Sequence, residues 1–208
     1  MSTHVIPIES PIDAMLFIHQ ALRAEAARVE QVASQLQEGG TLQPFRHAFY
    51  RWTMALAYHA DTEDAYMTPL LPDLPAARDC ELAHQRLADR LEEVQQCLTE
   101  EIGRTMLIAR TQRHLFGTVV MARITQDDYL EEEEAFILPV IRRQLSAAQQ
   151  GEIIGHLLID QEAEDPRWHL DWLQQTLPPR ERRLMAVLVA GLNEAYPGGR
   201  PAVATARG

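Results

Sequence analysis

Four long stretches of the sequence place an apolar or aromatic residue at every third or fourth position, which is the repeat of an amphipathic helix. They lie near residues 15–36, 45–70, 80–98 and 115–140. This part of the chain lacks the strict alternation of apolar and polar residues that is typical of a strand. Four helices that each carry such a seam predict an all-α protein, built as an up-down-up-down four-helix bundle.

Proline and glycine mark the expected ends of these helices. The first helix is predicted to begin at Ser10-Pro11, with serine as the N-cap and proline in the first turn, and to end at Gly39-Gly40. A proline-rich linker at 69–75 then separates the second helix from the third.

The fourth helix is expected to start after Gly103 and to run to about Ser146, with a disturbance at Gly117. Shorter helical segments follow it. The predicted organisation has three parts: a four-helix bundle at 10–146, a helical extension packed on the bundle at 147–196, and a disordered tail at 197–208.

The chain of 208 residues carries a net charge of −11. An acidic chain is not attracted to nucleic acid or to an anionic membrane surface, so neither is expected as a partner. No apolar run reaches the roughly 18 residues of a membrane span. The first nine residues lack the basic and then apolar order of a secretory signal, and we expect a cytoplasmic protein.

Both cysteines, Cys80 and Cys97, fall in the third predicted helix. At about 1.5 Å per residue they lie roughly 25 Å apart along it, too far for a disulfide between them. We expect both to be reduced thiols, as in a reducing compartment.

Six seam positions carry polar side chains, although a seam faces the core. They are His19, His59, Glu63, His84, Tyr129 and Glu133. A buried carboxylate without a partner is costly, and buried charges are normally paired or bound to metal ions. Because histidines are the only basic residues on these seams, the pattern indicates a metal site.

The same six residues are predicted to lie at one depth. His19 and His84 come early in the first and third helices, whereas Glu63 and Glu133 each precede a proline by six residues, late in the second and fourth. The starts of helices one and three lie level with the ends of two and four in an up-down-up-down bundle. We therefore expect the six side chains to converge at one end of the core.

The second and fourth helices repeat one pattern. Residues 58–71 read YHADTEDAYMTPLL and residues 128–141 read DYLEEEEAFILPVI, so that His59 aligns with Tyr129 and Glu63 with Glu133. Side chains four residues apart share one helix face, about 6 Å apart along the axis. Two such steps that face each other predict a pseudo-twofold pocket with two bridging carboxylates, the arrangement of di-iron carboxylate bundles.

Taken in this order, the motifs resemble those of the hemerythrin-like (HHE cation-binding) family over about residues 10–146. The resemblance implies a non-haem di-iron site with two iron ions per chain. It implies terminal ligands at His19, His59, His84 and position 129, and bridging carboxylates at Glu63 and Glu133. Histidine and carboxylate donors suit iron or manganese better than a thiolate-preferring metal, and zinc is a further candidate.

The sequence departs from the family pattern at two positions. Tyr129 stands where the family usually has histidine, and Ala88 stands where oxygen-carrying members have a second histidine on the third helix. Fewer imidazole ligands argue against reversible oxygen carriage. Tyr129 could bind as a phenolate or hydrogen-bond a metal-bound water, and Glu132 is a reserve ligand.

Each of these residues also has a structural interpretation. The histidines could be hydrogen-bonded core residues, Tyr129 a plain core tyrosine, and the two glutamates exposed at the edge of the seam. The other histidines are assigned to the surface or to packing.

Three functional hypotheses follow. The first is a metal-binding protein that senses or handles dioxygen, nitric oxide, peroxide or iron. The second is a di-iron oxidoreductase or an activity of the iron–sulfur repair type, so enzymatic function stays open. The third is a metal-free helical interaction module that uses residues 146–196 as its partner surface. A homodimer is compatible with all three.

Overall fold

The structure, a computed structural model, describes residues 8–71, 75–101 and 107–195. The predicted disordered tail at 197–208 lies outside the described residues. The chain divides into two compact units, one made of residues up to Gln20 together with those from Leu138 onward, and the other of Ala21–Ile137. The proposed domain ranges 10–146 and 147–196 stay a prediction.

Helices make up almost all of the described chain, and no strand occurs within its three ranges, as the all-α prediction requires. Short 3₁₀ segments lie at Pro11–Ala14 and Thr68–Leu70, and π-helical turns lie at Cys97–Glu101 and Glu133–Ile137. The α-helices are α1 (Met15–Ser34), α2 (Gln43–Tyr66), α3 (Pro75–Gln96), α4 (Ala109–Glu132), α5 (Leu138–Gln144), α6 (Ala147–Leu158), α7 (Trp168–Thr176) and α8 (Pro179–Ala195).

Polar contacts between helices establish the direction of each helix in the Ala21–Ile137 unit. Arg23, early in α1, pairs at 2.7 Å with Glu134, just after α4. Gln112, early in α4, donates to the carbonyl of Leu36, just after α1. Helices α1 and α4 are therefore antiparallel.

Helices α2 and α4 run parallel, as diagonal helices of such a bundle do. Trp52 Nε1 donates to Gln126 Oε1 at 2.6 Å, and the Tyr129 hydroxyl donates to Glu63, further along both helices. Helix α3 packs against α4 and α2. The predicted up-down-up-down bundle is confirmed.

The predicted seams are buried along most of their length, but residues late in the second and fourth helices are exposed. The α1 seam is buried from Met15 to Leu36, but the aromatic side chains of Tyr66 and Phe136 are exposed, Phe136 by 62%. Met67 and Ile137 are buried instead. In the second case, the π-helical turn that begins at Glu133 adds a residue to the turn and so moves the buried face by one position.

The helix boundaries within the described residues lie near the sequence signals, apart from the disturbance predicted in the fourth helix, and Gly103 lies outside those residues. Helix α1 ends at Ser34, before the predicted stop at Gly39-Gly40. Gly39 has a φ of 69°, a left-handed conformation that favours glycine, and it lies in the connection between α1 and α2. Helix α4 runs through Gly117 without interruption, and the irregularity lies at Glu133–Ile137. Pro139 follows that π-helical turn at the second position of α5.

In the other unit, the 3₁₀ segment at Pro11–Ala14 packs against α5, α6 and α8. Asp13 accepts hydrogen bonds from the backbone of Glu9 at 2.7 Å and of Ser10 at 2.9 Å. Its other carboxylate oxygen pairs with Arg142 of α5 at 2.5 Å. This buried aspartate thus caps the first turn and ties it to α5.

None of the helices in the described ranges is both long enough and apolar enough to cross a membrane.

Candidate metal centre

Helix α2 carries the first two buried polar residues of the centre. His59 and Glu63 stand four residues apart, and their side chains are 0% and 1% exposed. The His59 Nε2 and Glu63 Oε1 atoms are 3.1 Å apart. Spacing by four residues puts both on the face of α2 that also carries Trp52 and Leu56, so they point into the core.

Glu63 is the common partner of side chains from three helices. Its Oε2 lies 3.3 Å from His84 Nε2 of α3 and accepts the hydroxyl of Tyr129 from α4. The rings of His84 and Tyr129 meet edge to face, with centroids 4.8 Å apart. One carboxylate therefore joins α2, α3 and α4.

Helix α4 and the π-helical turn after it supply Tyr129 and Glu133, both buried. The π-helical turn begins at Glu133 itself. Such turns widen a helix by one residue and are frequent at functional sites. Glu131 and Glu132 are exposed, so the acidic run contributes Glu133 to the core.

His59, Glu63 and Glu133 bring ligand atoms within 4.8 Å of one another. Because these glutamates are almost fully buried, the alternative that they lie exposed at the seam's edge is wrong. Two carboxylates and an imidazole at such spacing form a cluster compatible with a metal ion.

Two protonation states follow from the surroundings. Burial raises the pKa of Tyr129 well above its ordinary value, and the charges of Glu133 and Glu63 raise it further, so the metal-free phenol keeps its proton. Burial lowers the pKa of His84, but the hydrogen bond and charge of Glu63 and the charge of Asp64 outweigh it and raise that pKa to about 9. At neutral pH the metal-free site therefore holds an imidazolium between carboxylates.

The sequence did not predict that two further residues, Asp64 and Cys80, lie near the site. Asp64 Oδ1 lies 2.9 Å from His84 Nδ1. The thiol of Cys80, one helical turn before His84, is buried, and its pKa is raised by burial and by the charges of Glu133 and Glu63. Two features of the sequence could have indicated them: Asp64 directly follows Glu63, and Cys80 lies four residues before His84, on the same helix face.

His19 belongs to the other compact unit. It is fully buried on α1, two residues before Ala21, where the bundle unit begins. Of the histidines assigned to the surface or to packing, His47 and His114 are exposed and His169 is fully buried.

A family model described as the hemerythrin HHE cation-binding domain matches residues 10–117, which is more than half of the chain. The chain belongs to the hemerythrin HHE cation-binding family. The resemblance drawn from the motifs is thereby confirmed, and family membership implies cation binding. The match ends inside α4, before Tyr129 and Glu133. The assignment of those two positions to the hemerythrin-like motif is therefore based on the sequence motif and on the structure.

No curated protein and no solved structure compared with this hemerythrin-family chain matches it.

Proposed function

We propose that this hemerythrin-family protein is a non-haem di-iron protein that senses or handles dioxygen, nitric oxide, peroxide or iron. The proposed ligands are His19, His59, Glu63, His84, Tyr129 and Glu133. The observation that carries the proposal is the pair of buried carboxylates, which cluster with His59, while Glu63 also lies 3.3 Å from His84 of α3.

The donor set fits a pair of di- or trivalent cations. Carboxylate and imidazole donors suit iron and manganese, whereas a thiolate-rich set would favour other metals. In the metal-free protein, the charge on Glu63 is offset by the His84 imidazolium, whose Nε2 lies 3.3 Å away, and by the hydrogen bond from the Tyr129 hydroxyl. A cation bound by Glu63 would displace those protons, as expected of a site that releases protons on metal binding.

His19 is included because of its place on α1. It lies three residues before Leu22 and seven before Ala26, so it shares their helix face, and both of those residues are buried. The same face continued by one turn directs His19 inward. The family resemblance adds a histidine at this position of the first helix.

Iron bound at this centre would supply a redox-active Lewis acid. The protein's own residues would control that ligand's surroundings. Tyr129 presents a phenol that donates to Glu63, and the buried side chains of Trp52 and Leu56 keep the α2 face of the core apolar. Because Ala88 offers no further imidazole, we favour sensing or handling over reversible oxygen carriage.

The decisive experiment is the metal content of untagged protein after reconstitution with ferrous iron, measured by elemental analysis together with a visible spectrum. We expect close to two irons per chain. Glu63→Gln and Glu133→Gln preserve side-chain shape and remove the charge, and each should abolish binding of at least one iron. Glu131→Gln, an exposed charge on the same helix, is the matched control and should retain both irons.

Folded wild-type protein that takes up no metal would sink the proposal and favour the metal-free interaction module. Turnover of peroxide or ferrous iron by the loaded protein would assign it to the oxidoreductase class. The cytoplasmic location and a homodimer stay predictions from the sequence.

A further inference from the structure

We propose that Asp64 is a positioning residue for the metal centre, because it holds the His84 ring so that Nε2 faces the ligands. This inference rests on the proposed metal-binding function. Asp64 was not among the residues that the sequence pattern marked as ligands.

The geometry of the ring supports this role. A carboxylate can only accept, so His84 Nδ1 donates to Asp64 Oδ1, at 2.9 Å. The opposite ring nitrogen, Nε2, lies 3.3 Å from Glu63 Oε2. Two adjacent carboxylates of α2 thus lie at the two nitrogens of one α3 histidine, Asp64 at Nδ1 and the buried Glu63 at Nε2.

The two carboxylates differ in their exposure to solvent. The side chain of Asp64 is 40% exposed, whereas that of Glu63 is fully buried. Asp64 therefore keeps contact with solvent, which lowers the desolvation cost of its carboxylate. A carboxylate bonded to the far nitrogen of a metal-ligating histidine fixes the tautomer and the ring orientation and raises the basicity of the ligating nitrogen.

Metal affinity provides the main test. We would titrate metal-free protein with ferrous iron against a competing chelator, and compare wild type with Asp64→Ala and Asp64→Asn. Removing such an outer partner typically weakens affinity by about 10- to 100-fold. We expect a loss of that size in Asp64→Ala and a smaller one in Asp64→Asn, whose amide oxygen can still accept from Nδ1. The control is Asp61→Asn, an exposed charge three residues earlier on α2, and it should bind like wild type.

A second measurement needs no metal. Contacts between the ring protons of His84 and Tyr129, whose centroids are 4.8 Å apart, should be visible by NMR in wild type and Asp61→Asn and weaken in Asp64→Ala. A merely structural ion pair between α2 and α3 would lower the melting temperature of Asp64→Ala and leave iron affinity unchanged. That result would overturn the inference while the di-iron proposal stands. If wild type binds no iron while Asp64→Ala still weakens the ring contacts, the proposed di-iron function is wrong, and Asp64 nevertheless orients the His84 ring.

Discussion

At the scale of single residues, the centre depends on how buried charge is compensated. Glu63 is held by an imidazolium at His84 and by the phenol of Tyr129, and its other oxygen lies beside His59. A charge-assisted hydrogen bond is stronger than a neutral one, and the loss of a donor to a buried carboxylate is correspondingly costly. The metal-free fold therefore needs these donors.

Tyr129→Phe tests that requirement. The variant keeps the ring and removes the donor to Glu63, so we expect the free energy of unfolding of the metal-free protein to fall by about 1–3 kcal/mol. Urea denaturation followed by circular dichroism measures it. Tyr50→Phe, at an exposed position of α2, should change stability by less than about 0.5 kcal/mol. Equal stability of Tyr129→Phe and wild type would show that the hydrogen bond contributes nothing.

His169 predicts a dependence of stability on pH that is independent of the metal centre. On α7, it stacks on Trp172 with centroids 5.0 Å apart and donates from Nδ1 to the carbonyl of Leu157 at 2.5 Å. Burial lowers its pKa from 6.5 to about 4, against the opposing effect of the Leu157 carbonyl and the charge of Asp160. The unfolded chain therefore binds the proton more readily than the folded one between these values.

The stabilising contribution of neutral His169 is complete above pH 6.5 and is lost as the pH falls toward 4, by about 1.4 kcal/mol per pH unit. Chemical denaturation of metal-free protein at pH 7, 6 and 5 measures this loss. His169→Gln should flatten the profile relative to wild type, whereas His47→Gln, at an exposed position, should leave it unchanged. Parallel profiles for wild type and His169→Gln would contradict the assignment.

At the scale of elements, two glycines have opposite roles. Gly39 turns the connection between α1 and α2 with a φ of 69°, whereas Gly117 lies on an exposed face of α4, with open space where a Cβ would be. The disturbance expected at Gly117 does not occur, because the buried neighbours Leu115 and Val119 hold α4 in place.

Alanine substitution should separate the two glycines. Gly39→Ala should lower the free energy of unfolding by roughly 1–2 kcal/mol, because a Cβ is strained in the left-handed conformation. Gly117→Ala should raise it by about 0.5–1 kcal/mol, because alanine loses less entropy than glycine in a helix. Thermal melts of the two variants against wild type provide the comparison. A stabilised Gly39→Ala or a destabilised Gly117→Ala would contradict the assigned conformations.

At the scale of the whole molecule, stability and function oppose each other at the centre. Burying two carboxylates in an apolar core is unfavourable without counter-charge, and a cation that binds the folded state alone stabilises it by mass action. The metal-free protein should therefore be the less stable form.

The double variant Glu63→Gln/Glu133→Gln tests whether the buried carboxylates lower stability in the metal-free protein and bind the metal. We expect metal-free double variant to melt above metal-free wild type, because the buried charges are gone, and to gain nothing from added ferrous iron. Wild type should gain about 2.7 kcal/mol at a metal concentration 100 times the dissociation constant. Scanning calorimetry with and without chelator measures both, and Glu131→Gln should behave like wild type. Iron-dependent stabilisation of the double variant would place the binding elsewhere.

The sequence by itself determined the helices and the six polar seam positions, because helical periodicity and capping are local properties of the chain. It also indicated that the helices end near Gly39 and Pro69. Only the tertiary structure decided that Glu63 contacts both His84 and Tyr129, and that Asp64 accepts a hydrogen bond from the far nitrogen of His84. It also decided that a π-helical turn exposes Phe136 and buries Ile137. These features depend on the distance and rotation between packed helices. The packing of side chains from different helices sets both, and no spacing within one helix encodes them.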